Sequence, residues 1–89
     1  MMKDSYKNVP NRTIRSINNY VTDGLGPGDF LTAVLENKLI EAFSRADAEN
    51  LNAMEDIVRY IYNEIPMDAW GSEDEVEKWI ELRKKKNKE

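Results

Sequence analysis

An all-α fold, a compact small bundle of about four helices, follows from three observations. Apolar residues recur at spacings of three and four in each long segment. Caps, glycines and prolines punctuate the chain between those segments. Nowhere does the chain show the period-two alternation of a half-buried strand, and it contains no internal repeat and no linker.

Taken in order, residues 1–9 carry no period and are expected to be flexible or draped over the body. Pro10 suits the first turn of a helix, where its missing N–H would have no partner in any case. Ile14, Ile17 and Val21 then form a narrow stripe, and Gly24 stands where a left-handed C-terminal cap belongs. The first helix is therefore about Pro10 to Asp23. The stretch from Gly24 to Asp47 opens on a glycine–proline turn and becomes the most apolar of the chain. Phe30, Leu31, Val34, Leu35, Leu39, Phe43 and Ala46 share one side of a helix, and Ala33, Ile40 and Ala42 widen that surface. It is expected to be one central helical unit and the hub of the bundle, with a bend or brief break at Asn37, a poor helix former.

Asp47 caps the third helix, whose apolar face is Leu51, Met54, Ile57, Val58, Ile61 and Ile65, and Pro66 ends it. Ser72 with Glu75 three residues on is a capping box, and the fourth helix buries Val76, Trp79 and Ile80 before dissolving into a basic tail over residues 83–89. Residues 10–82 form a single helical domain.

Composition narrows the function. The chain has 89 residues, no cysteine and no histidine, so disulfides and zinc are excluded and the commonest general base is missing. A core this small is expected to gain support from self-association, as a homo-oligomer. The net charge is −4, yet Arg83, Lys84, Lys85, Lys86 and Lys88 hold 5 of the 13 basic residues, leaving 8 basic against 16 acidic over residues 1–82. Such a body repels nucleic acid. No apolar run is long enough to span a membrane and no signal peptide opens the chain, so the expected location is cytoplasmic.

Catalytic and metal chemistry find little footing. The glycine-rich turn before the central helix lacks the lysine and hydroxyl residue of a phosphate loop, and Asp29 places a negative charge where an anion would sit. Glu41 with Arg45, Glu55 with Arg59 and Asp74 with Lys78 read as ion pairs on solvated faces. A magnesium site from Asp47, Glu55 and Asp56 is the weaker reading of the same carboxylates. No serine has a visible base, so no enzyme, no metal and no cofactor are expected. The more suggestive group is Arg45, Arg59, Tyr62, Asn63 and Trp70. Guanidinium groups there suit phosphate, and flat rings suit stacking on a base. As a structural alternative, the rings close the core, the amide caps a helix and the arginines make surface pairs.

The segments Pro27–Leu35 (PGDFLTAVL), Arg45–Asn50 (RADAEN), Tyr62–Pro66 (YNEIP) and Trp70–Ser72 (WGS) together resemble a family of small bacteriophage and prophage proteins. The resemblance covers roughly Pro10 to Leu82. Where its members often carry an acidic residue after the asparagine of the central helix, this chain has Lys38. The resemblance implies a phage origin and action in the host cytoplasm, and no particular activity. Two functions are then expected to compete: a counter-defence sponge that sequesters a cyclic nucleotide signal of the host in pockets between subunits, narrowly favoured because Arg45, Arg59, Tyr62, Asn63 and Trp70 suit a nucleotide, and, as the alternative, an inhibitor that binds a host protein such as a defence nuclease.

The capping box supplies a direct test. Ser72→Ala should lower stability by about 1 kcal/mol, read as a shift of the thermal midpoint. An unmoved midpoint would show that the last helix is not docked as described.

Overall fold

The computed structural model describes residues 6–88, with side-chain surroundings given through Lys85. Its helices are α1 (Asn11–Asp23), α2 (Asp29–Leu35), α3 (Leu39–Arg45), α4 (Ala48–Asn52), α5 (Met54–Glu64) and α6 (Glu73–Lys88), with one 3-10 turn at Met67–Ala69. The described residues contain no strand. The all-α class stands, but the described residues form six helices rather than about four, because the second and third expected helices each divide.

The first division lies at Asn37, which adopts a left-handed conformation with φ 65°. The Lys38 N–H reaches the Ala33 carbonyl at 2.9 Å and the Asn37 N–H reaches that of Val34 at 3.1 Å. These two bonds are the Schellman pattern that ends a helix, with asparagine in the place usually held by glycine. The bend expected at this residue is therefore a full stop followed by a new helix. The second division is at Ala53, whose N–H is shared between the carbonyls of Glu49 and Asn50. Asn50 and Asn52 are weak helix formers. Asn50 is moreover buried, its side-chain oxygen accepting from the Thr13 hydroxyl at 2.7 Å. That contact ties the buried side of α4 to α1.

Local caps hold where the sequence places them. Gly24 is left-handed and its N–H meets the Tyr20 carbonyl. Asp47 accepts from the Asn50 N–H at 2.9 Å, and Ser72 Oγ accepts from the Glu75 N–H at 3.2 Å. The end of α6 departs from expectation. Its backbone stays helical to Lys88, since lysine and arginine are good helix formers and complement the negative end of the dipole. The Arg83 guanidinium also lies 4.2 Å over the Trp79 ring.

The core is shared rather than built around one hub. Its largest fully buried side chains are Ile17 and Tyr20 of α1, Leu35 of α2 and Ile57 of α5. The buried edge of α1 runs through Thr13, Ile17 and Tyr20, one position away from the expected stripe, leaving Ile14 and Val21 half-buried. In α3 only Ala42 is buried, while Leu39 and Ile40 are 65% and 79% exposed. Tyr6 and Val9, from the segment expected to be flexible or draped, pack into the core, and the rest of that segment up to position 5 lies outside the described residues.

The turn at Asn37 is testable. Asn37→Ala should cost roughly 1 kcal/mol, because alanine is strained in the left-handed region, while Asn37→Gly should be neutral or stabilising. Urea midpoints for the two variants measure this, and equal midpoints would mean that the turn is not left-handed in solution.

Candidate functional site

Breaking the central helix at Asn37 has a consequence for the surface. It turns α3 so that Leu39 and Ala42 face α5, and an apolar groove of about 160 Å³ opens between them. Val34, Met54 and Ile61 form its floor, and Leu39, Val58, Tyr62 and Trp70 stand along its sides, with Asn37 and Lys38 at one end. Tyr62 is 70% exposed, and its ring lies 5.8 Å from that of Trp70 at a tilt of 55°. Trp70 is fixed from behind by an N–H bond to the Ile65 carbonyl at 3.3 Å. The Gly71 N–H anchors the same loop to the Leu35 carbonyl at 2.7 Å.

Of the five residues grouped from sequence, only Tyr62 and Trp70 meet in this groove. Asn63 points elsewhere, donating its amide to the Tyr6 hydroxyl at 3.3 Å. Arg45 is held by Asp29 at 3.2 Å and Glu41 at 3.6 Å, and Arg59 by Glu55 at 3.6 Å. Neither arginine lines the groove. The geometric reason is simple: Arg59 and Asn63 are four apart on α5, whereas the groove takes the Val58, Ile61 and Tyr62 side of that helix. Asp29, the residue that blocks the phosphate-loop reading, is thus itself the partner of Arg45. Asp74 and Lys78 make no ion pair among the described residues.

Sequence reasoning missed Lys38, Leu39 and Val58 as groove residues. Lys38 appears there as a mere surface change, yet its ammonium binds Glu73 across the fold and also Glu36 at 3.2 Å and Glu41 at 3.9 Å. The hydrogen bond to Glu73, then that to Glu36, raises its pKa. The same bond holds the Glu73 carboxyl below the ordinary carboxylate range. A usable signal was present: apolar residues on too many sides of one helix indicate two helices with different faces.

Chemically, the groove is suited to receiving one or two apolar side chains. It lacks a nucleophile with a base, and among the described residues no cluster of three acidic ligands could hold a metal ion. No described helix is long and apolar enough to cross a membrane. No protein-family model, curated protein or solved structure matches the chain.

The Lys38–Glu73 bond links the end of the groove to the start of α6, and its pH dependence has a definite sign. Because the folded-state pKa of Glu73 is depressed, its contribution is present above the ordinary carboxylate range and lost as pH falls through the folded value. Thermal midpoints measured across that acidic window should fall less steeply for Glu73→Gln than for the wild type. Parallel curves would show that this exposed pair contributes nothing.

Proposed function

We propose that this chain is a small phage-encoded binding protein, without enzymatic activity, that acts in the host cytoplasm by docking a host protein into the α3–α5 groove. The observation that carries this reading is the chemistry of the groove: exposed apolar walls, an aromatic pair formed by Tyr62 of α5 and Trp70 of a fixed loop, and neighbouring cations that already hold carboxylates. Apolar pockets with aromatic edges are where protein partners place their anchoring side chains. The predominantly acidic body, with 16 acidic residues against 8 basic over residues 1–82, suits a basic target such as a nuclease.

The cyclic-nucleotide sponge ranks second. A phosphate at Arg45 or Arg59 would have to displace Asp29, Glu41 or Glu55, and the remaining stacking surface is the Tyr62–Trp70 pair. Self-association is compatible with either reading, and the exposure of Leu39, Ile40 and Phe43 on α3 favours it.

One set of proteins tests these readings. Tyr62→Ala and Val58→Asp should each weaken capture of the host partner, the former by on the order of 2 kcal/mol, or about thirtyfold. Circular dichroism should remain helical in both. Undiminished capture by both variants would remove the groove from the function. A thermal-shift panel of cyclic nucleotides should give no rise that depends on Arg45 or Arg59. A rise that disappears in Arg45→Ala and Arg59→Ala would instead support the sponge.

A further inference from the structure

A second cleft, of about 360 Å³, opens on another face of α5, where the chain before α1 crosses α1 and α5. Val9 and Ile14 form an apolar base, and the rings of Tyr6 and Tyr60 meet edge to face with centroids 5.1 Å apart. Its border carries groups able to donate: the Lys7 ammonium and the side-chain amides of Asn11 and Asn18. The Tyr60 hydroxyl donates to Asn18 Oδ1 at 2.8 Å, and the exposed Asn18 Nδ2 makes no further hydrogen bond among the described residues. The Asn11 side chain and the Lys7 ammonium, both at the same border, likewise have no partner among the described residues. Lys7 therefore differs from Lys38, Arg45 and Arg59, each of which holds at least one carboxylate. Glu64 is occupied by the Tyr6 hydroxyl at 3.1 Å and does not line the cleft.

A ligand that satisfies this border must bring acceptors, and a ligand that satisfies the walls must bring a flat apolar face. We propose that the cleft binds a small ring-bearing anion, its ring against Tyr60 and Tyr6 and its anionic oxygens on Lys7 and the amides of Asn11 and Asn18. A nucleoside monophosphate and an aryl carboxylate both have this chemistry, at a site separate from the apolar groove.

The test is a titration followed by aromatic and side-chain amide NMR, with adenosine monophosphate and benzoate as probes. Adenosine serves as the ring without the anion, and inorganic phosphate as the anion without the ring. At least one ring-bearing anion should shift the Tyr6 and Tyr60 rings and the Asn11 and Asn18 amides saturably, and tenfold or more tighter than its half-ligand controls. Tighter binding of the monophosphate assigns the nucleotide source, and tighter binding of benzoate the aryl carboxylate. Lys7→Ala should weaken binding about tenfold, the loss of one charge-assisted contact, and Asn18→Ala should weaken it as well. Val58→Asp should have no effect. The proposal is overturned if no probe shifts these resonances saturably, if the shifts centre on Tyr62 and Trp70, or if Lys7→Ala binds as tightly as the wild type.

Discussion

The contact on which the rest of the molecule depends is the close approach of α1 and α6 at Gly24. A Cβ built there would lie 2.7 Å from the Cβ of Arg83 and 3.1 Å from the Ile80 carbonyl oxygen. The position also needs a left-handed backbone, at φ 71°. Glycine is thus required twice over, by space and by conformation. Proximity lets the buried Trp79 indole N–H bond the carbonyls of Tyr20 and Val21, each at 3.2 Å. The Val21 carbonyl, which a helix end would leave orphaned, thereby obtains a partner, while the Tyr20 carbonyl also accepts from the Gly24 N–H.

From that junction the order passes to the functional surface through Tyr20. Its ring is fully buried and its hydroxyl donates to the Ala69 carbonyl at 2.6 Å. Burial, with Glu36 as a second cause, pushes the hydroxyl pKa up, so it remains a donor at any ordinary pH. Ala69 precedes Trp70, the fixed side of the groove, and Gly71 is tied to α2 in turn. The loop carrying Trp70 is therefore positioned by buried bonds, whereas Leu39 and Tyr62 opposite it are largely exposed. A rigid wall facing adaptable side chains is a reasonable design for receiving an apolar anchor at low ordering cost.

The parts of this architecture legible in the sequence are those fixed by neighbours a few positions apart. Gly24, Asp47 and Ser72 act as caps because capping is a contact between residues within one turn. The break at Asn37 was legible as a weak point, but its left-handed geometry turns α3 to a new face, and periodicity alone does not carry that rotation. The grouping of Arg45, Arg59, Tyr62, Asn63 and Trp70 failed for the same kind of reason. Asn63 is drawn to Tyr6, 57 positions away, and Arg45 to Asp29, 16 positions away. Lys38 became structural only through Glu73, 35 positions away. Such long-range partners cannot be read from local spacing. The pair that did survive, Tyr62 and Trp70, lies across the single short loop behind Pro66.

The dependence of the groove on the buried junction can be measured through the two tryptophans of the chain. Fluorine NMR of 5-fluorotryptophan-labelled protein reports each indole separately, and Tyr20→Phe removes only the hydroxyl that holds the Ala69 carbonyl. The Trp70 resonance should move toward the solvent-exposed position, while that of Trp79, which bonds the backbone of Tyr20, stays in place. A Trp70 resonance superimposable on the wild type, in a protein that is nonetheless destabilised, would contradict the coupling between the core junction and the groove.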